Sequence, residues 1–116
     1  MTKIAAQAAA DKLAENLVAL DVSVPFVLAD VFLIVSGRNE RQVASISDEI
    51  EDKMLEAGYK LLRREGKTTG RWILLDFGDL ICHVMFEQDR IFYDIERLWK
   101  DCPVISLAGI TSPAEV

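Results

Sequence analysis

Residues 71–99 read RWILLDFGDLICHVMFEQDRIFYDIERLW, and this stretch decides the fold. Two apolar runs flank Asp76-Phe77-Gly78-Asp79. Gly78 supplies the permissive backbone that a tight reversal needs, and the flanking aspartates favour turns. The pattern predicts two antiparallel strands, residues 71–77 and 79–86, joined as a hairpin. With the turn centred on Phe77-Gly78, Leu75 faces Leu80, Leu74 faces Ile81 and Trp72 faces His83. Alternate residues then point to opposite sides of the sheet. One side carries Ile73, Leu75, Leu80, Cys82, Val84 and Phe86, has no polar group, and reads as core. The other carries Trp72, Leu74, Asp76, Asp79, Ile81, His83 and Met85. Two carboxylates, an imidazole and an indole among aliphatic residues read as a site rather than as core.

Working outward, residues 87–99 predict a helix whose Ile91, Phe92, Ile95, Leu98 and Trp99 share one sector. Tyr93 falls on the far side with Arg90 and Arg97, as a candidate for contact with a partner. Upstream, Asp30 leads into Val31-Phe32-Leu33-Ile34-Val35, a continuous apolar run of the kind buried on both faces of a sheet. Ser36-Gly37-Arg38-Asn39 turns that strand into a helix. Asn39 is placed to cap it, with Gln42 three residues later completing a capping-box-like pair. Val43, Ile46, Ile50, Met54 and Ala57 form its apolar stripe, and Gly58 stops it. Residues 59–65 predict a strand nearer a sheet edge, and Gly66-Lys67-Thr68-Thr69-Gly70 a flexible loop.

Near the N-terminus, the Ala-rich residues 1–16 have helical spacing, with Asn16 as a terminator. Residues 17–22 suit a strand, and Pro25 makes residues 23–29 a loop or an edge segment. The order is helix, two strands, helix, three strands, helix: a five-stranded mixed α/β (α+β) sheet with packed helices. These helices cover one face well and leave no obvious cover for the Trp72/Asp76/His83 face. Residues 1–102 form a single domain, and the thin composition after Pro103 predicts that residues 103–116 are a mobile tail.

A chain of 116 residues is long enough to bury most of its surface around one core. Its 19 acidic against 13 basic residues give a net charge of −6, which steers it away from naked nucleic acid and anionic membranes and towards a basic protein. Sequence-specific nucleic-acid binding is not expected. The two cysteines, Cys82 and Cys102, lack metal-ligand spacing, and Cys82 reads as a buried free thiol. The first residues lack the basic-then-apolar pattern of a signal peptide, and no apolar run approaches the ~18 residues of a membrane span. A reducing cytoplasm is the expected location.

Three chemistries could in principle use these residues. Asp76-Phe77-Gly78 spells a kinase tripeptide, but the rest of a kinase is missing. His83 has no visible nucleophile partner, since the serines are scattered and no GxSxG occurs. A metal on Asp76, Asp79 and His83, or a phosphate at the Ser36-Gly37 turn, has the outline of a nucleotidyltransferase, whose two-metal chemistry uses paired carboxylates. A third carboxylate and a basic triphosphate clamp are absent, so a metal-dependent enzyme using Asp76 and Asp79 stands as the alternative only. No catalytic residue, metal or cofactor is assigned.

Asp30-Val31-Phe32-Leu33-Ile34-Val35-Ser36-Gly37, Arg41-Gln42-Val43, Ile50, Glu65-Gly66 and Trp72-Ile73-Leu74-Leu75-Asp76-Phe77-Gly78-Asp79 together resemble the ribosomal silencing factor family, the Iojap-related proteins. His83-Val84-Met85, Glu87, Arg90, Phe92-Tyr93 and Leu98-Trp99 continue the match, which covers roughly residues 5–100. The resemblance implies a nucleotidyltransferase-like fold without evident catalytic residues. It also implies a translation regulator that binds universal ribosomal protein fourteen on the large ribosomal subunit, obstructs joining of the small subunit when nutrients are scarce, and is a homodimer when free. The expected partner-binding residues are Trp72, Leu74, Asp76, Phe77, Gly78, Asp79, Ile81, His83, Tyr93, Leu98 and Trp99.

Overall fold

The computed structural model describes residues 1–66 and 70–112; the centre of the Gly66–Gly70 loop and the last four residues lie outside the described residues. The elements are α1 (Thr2–Asp11), β1 (Glu15–Asp21), β2 (Val31–Gly37), α2 (Glu40–Glu56), β3 (Arg63–Glu65), β4 (Trp72–Asp76), β5 (Leu80–Phe86), α3 (Glu87–Tyr93), α4 (Ile95–Leu98) and β6 (Val104–Ile105). They build one mixed sheet of six strands in the order β3-β4-β5-β2-β1-β6. The central neighbours β2 and β5 run parallel, whereas the other neighbouring pairs are antiparallel. The mixed α/β class is borne out, with one strand more than the sequence predicts.

That sixth strand corrects the expected tail. Val104 and Ile105 pair with Leu20 and Ala19, and Asp21 N donates to the Pro103 carbonyl at 2.8 Å. Leu107 and Ile110 pack against the core, and the Gln7 side chain donates to the Thr111 carbonyl at 2.8 Å. Residues 103–111 are therefore docked on the domain. Their composition gave no sign of it because the strand is short and borrows its hydrogen bonds from β1.

The sheet is packed on both faces. Against one lie α1 and α2, with Ala5, Ala9, Val43, Ile46, Ile50 and Met54 meeting Leu33, Ile73, Leu75, Cys82 and Val84. Here α2 forms as the sequence predicts: Asn39 Oδ1 accepts from Gln42 N at 2.8 Å, and Gln42 Oε1 accepts from Arg38 N at 2.7 Å. The same Gln42 donates from Nε2 to the Lys12 and Leu13 carbonyls, tying the end of α1 to the start of α2. The apolar run of β2 is buried on both sides because the second face has a core too. Leu20, Val22, Phe32, Ile34, Ile81 and Met85 make this smaller cluster, with Ile95, Phe26 and Trp99 laid over it.

Two sequence expectations shift here. In the hairpin, Leu74 faces His83, Leu75 faces Cys82 and Trp72 faces Met85, so the expected Trp72–His83 and Leu74–Ile81 pairs are not the register. Phe77 N donates to the Leu80 carbonyl at 2.9 Å, which centres the reversal on Gly78-Asp79, one residue later than expected. Moving the centre by one slips the pairing by two, so parity holds and the two faces keep their residues. The expected helix over 87–99 also breaks in two, because Asp94 sits in the left-handed region at φ 46°. The break re-aims the turn after it, where Ile95 is buried and Leu98 faces solvent; before it, α3 turns Arg90 inward and leaves Ile91 and Phe92 exposed, the reverse of the expected sector.

Candidate functional site

The hairpin places the expected site residues at three depths. Trp72, Leu74 and Asp76 lie on the outer half of β4 and are half-buried. On β5, Ile81 and His83 are buried, since β5 is central and the loop at Phe26 with Trp99 covers its middle. The Trp72/Asp76/His83 face is thus roofed over β5 and partly open over β4, not left open as a whole. Phe77 points the other way, into the α1–α2 core. Gly78 serves the turn: its φ of 92° suits glycine, and its N–H donates to Asp76 Oδ1 at 2.8 Å. Asp79 is exposed, and its carbonyl accepts from the N–H groups of Asp30 and Val31, which fixes the start of β2.

Aromatic rings organise this face. Trp72 Nε1 donates to His83 Nδ1 at 3.3 Å, and the Trp72 ring packs on Tyr93 with centroids 5.1 Å apart. Phe92 stands edge-on to Tyr93 at 5.1 Å. On the opposite flank of His83, Phe32 lies edge-on at 4.8 Å and itself meets Trp99 and Phe26 at 5.2 and 5.1 Å. Burial pushes the His83 imidazole down from its ordinary value of 6.5 to about 4, so the ring is neutral at pH 7. Desolvation likewise pushes the Cys82 thiol up, leaving it an inert core residue.

Two depressions flank the Trp72–His83 pair. Arg71, Trp72, Asp89, Phe92 and Tyr93 line one, in which Arg71 holds Asp89 through two hydrogen bonds of 3.0 and 2.7 Å. The other, about 300 Å³, is walled by Phe26, Leu28, Phe32, Leu74, Ile95 and Trp99, together with His83. Around them, exposed apolar side chains gather on the loop after β1 and on α3–α4: Val24, Val27 and Leu28, then Ile91, Phe92 and Leu98. Sequence reasoning missed Phe26, Leu28 and Phe92. Ser23–Ala29 read only as a loop, yet a loop carrying Val, Phe, Val and Leu has too little polar character to serve as a mere connection.

Asp76, Asp79 and His83 do not converge as a ligand set. Asp76 Oδ1 is engaged in the turn and His83 Nδ1 by Trp72. Among the described residues, no three His, Cys, Asp or Glu side chains gather where they could hold a metal ion. No described helix is long and apolar enough to cross a membrane. Arg90 is the one buried arginine of the described set, and it is structural: its guanidinium donates to Ser36 Oγ at 2.8 Å and to Glu96 Oε1 at 2.7 Å, bracing α3 and α4 against the end of β2.

The mixed sheet thus carries a half-roofed aromatic face fringed by exposed aliphatic side chains, an apolar patch of the kind that marks interaction surfaces in general. The sequence profile described as "Ribosomal silencing factor during starvation" matches residues 1–116. A protein of Halalkalibacterium halodurans named "Ribosomal silencing factor RsfS" is 38% identical over 112 residues, 97% of this chain and 96% of its own. Its namesake from Bacillus subtilis is 42% identical over 105 residues, covering 90% and 89%. The crystal structure of a Chromobacterium violaceum protein superimposes with a TM-score of 0.83 at 33% identity, over 97% of this chain and 94% of the other. The chain belongs to the ribosomal silencing factor family. That membership assigns it to translation regulation by ribosome silencing.

Proposed function

We propose that the chain binds the large ribosomal subunit through universal ribosomal protein fourteen and thereby blocks joining of the small subunit, repressing translation under nutrient limitation. The observation that carries this reading is the Trp72–Tyr93–Phe92 aromatic surface, on a chain of net charge −6 that also exposes Asp79 at the turn end of the same hairpin. Aromatic anchors in a desolvated centre dominate protein interfaces, and acidic groups at the rim complement a basic ribosomal protein. Blockade then needs occupancy rather than chemistry, and the protein acts in the cytoplasm without cofactor or turnover. When free it self-associates as a twofold dimer that shields Ile91, Phe92 and Leu98, through this face or its border.

Density-gradient sedimentation with purified subunits tests the reading: the protein travels with large subunits and lowers the yield of joined ribosomes. Magnesium-dependent nucleotide transfer abolished by Asp76→Asn would overturn it in favour of the enzyme alternative. Light scattering that finds only monomer across micromolar concentrations would overturn the dimer.

A further inference from the structure

The loop between β1 and β2 is pinned and yet turns apolar side chains outward. Its ends are fastened where Val22 N donates to the Asp30 carbonyl at 2.9 Å, and Phe26 N donates back to the Val22 carbonyl at 2.9 Å. Asp21 Oδ1 accepts from Ser23 N and Oγ at 3.0 and 2.6 Å. In the middle, the Phe26 ring stands edge-on against Phe32 and Trp99, and Ala29 is buried. Pro25 narrows the backbone further. On that fixed frame Val24 and Val27 are each 92% exposed, and Leu28 is 75% exposed. Among the described residues, none of the three joins either core cluster. Single exposed aliphatic residues are ordinary, but three of them within residues 24–28, on a loop held at its ends and its middle, make a presented patch.

We propose that residues 23–29 are a second contact element for the ribosomal protein, with Val27 and Leu28 seated on an apolar patch of it while Asp30 and Asp79 meet its lysines or arginines. The inference rests on the docking reading above and adds an element that the Trp72–Tyr93–Phe92 surface does not include. Leu28 shares the groove of about 300 Å³ with Leu74, Ile95 and Trp99, so the loop lies on the aromatic side of the sheet. A loop already held in one conformation gives up little freedom on docking, which favours affinity. Charge selects the occupant. The Asp79 carbonyl accepts from Asp30 N at 2.9 Å, which sets two exposed aspartates next to one another at the downstream end of the loop. A basic partner complements that border, whereas a phosphate backbone is repelled by it. A twofold pairing of this chain centred on the loop would bring the same carboxylates towards their own copies, at a cost.

A photo-activated benzophenone amino acid in place of Val27 reports the neighbour of the loop directly. With purified large subunits, the adduct is expected on universal ribosomal protein fourteen. In parallel, Val27→Ser combined with Leu28→Ser should weaken large-subunit binding ~10-fold or more. The melting temperature and the oligomeric state of the free chain should stay as in wild type, because the exposed side chains leave both cores intact. Asp30→Lys should weaken binding and flatten its dependence on salt. A double variant that binds within about twofold of wild type overturns this inference and leaves the docking reading intact, as does an adduct on ribosomal RNA alone. A wild-type protein that does not travel with large subunits overturns both. An adduct to a second copy, with the dimer lost in the double variant, assigns the loop to self-association and likewise overturns the inference. Should the double variant melt early, Val27→Ser alone decides.

Discussion

Trp72 Nε1 donates to His83 Nδ1 across 3.3 Å, although the two residues are diagonal neighbours rather than a facing pair in the β4–β5 ladder. Long side chains reach such diagonal partners readily. The bond ties a half-exposed ring on β4 to a buried one on β5 that lines the aromatic cavity.

The buried imidazole makes stability depend on pH. Its folded value is about 4 against 6.5 ordinarily, so between those limits the unfolded chain binds a proton that the native chain refuses. Stability from this group is complete above about pH 6.5 and is lost as pH falls towards 4, to a total of about 3 kcal/mol. Denaturant unfolding of wild type and of His83→Phe across this window checks it: the gap between them should change with pH, wild type losing more as acid is added. Parallel curves would mean that the imidazole is not held neutral.

Gly66 controls the edge of the same face. A Cβ there would lie 1.9 Å from the Trp72 carbonyl oxygen, and φ at this position is +85°. Both the contact and the backbone conformation exclude other residues. Gly66→Ala should lower the unfolding free energy by about 2 kcal/mol or more and detach β3 from β4. Amide exchange of residues 63–65 reads the detachment. Loss of binding by this variant would follow from displacement of Trp72, not from a contact of residue 66.

Why some of this was legible in the sequence and some was not comes down to periodicity. Strand parity is robust: the alternation of Ile73, Leu75, Cys82 and Val84 against Trp72, Leu74 and His83 survives a turn displaced by one residue. Helix phase is not robust. A single left-handed residue, Asp94, re-aims everything after it, and aspartate carries too weak a preference for that conformation to announce the break. The roof over His83 was hidden for a different reason. It is made by Phe26 and Trp99, which lie 73 positions apart in the sequence and meet only after the sheet forms, their centroids 5.6 Å apart. Charge was misleading at Arg90, where burial is compensated by Ser36 and Glu96 from two other elements.

Arg90 accordingly yields a prediction about the joint between α3 and α4. Arg90→Ala removes a buried guanidinium that holds Ser36 Oγ and Glu96, and should cost about 2 kcal/mol, because Glu96 is about a third exposed and regains water. The loss should fall on α3–α4, leaving the α1–α2 core protected. Hydrogen exchange resolved by segment distinguishes this from global softening.

The two faces of the hairpin separate folding from binding. Cys82 is fully buried between the sheet and the α1–α2 layer. A carboxylate at that position would be charged and unpaired in an apolar core, among the most costly changes a domain can suffer, so Cys82→Asp should fail to fold or melt early. Trp72 stands on the other face, half-exposed, with Tyr93 against it and His83 beneath it. Trp72→Ala should remain folded, with reduced stability of the smaller core, and should lose about 2 kcal/mol or more of large-subunit binding, the range of an interface hot spot. Asp79→Lys, on the exposed turn, should weaken binding and flatten its salt dependence if the partner is basic. Circular dichroism and co-sedimentation on the same preparations decide the matter. Cys82→Asp tolerated with binding lost, together with Trp72→Ala unfolding the domain, would move the contact surface to the α1–α2 side of the sheet.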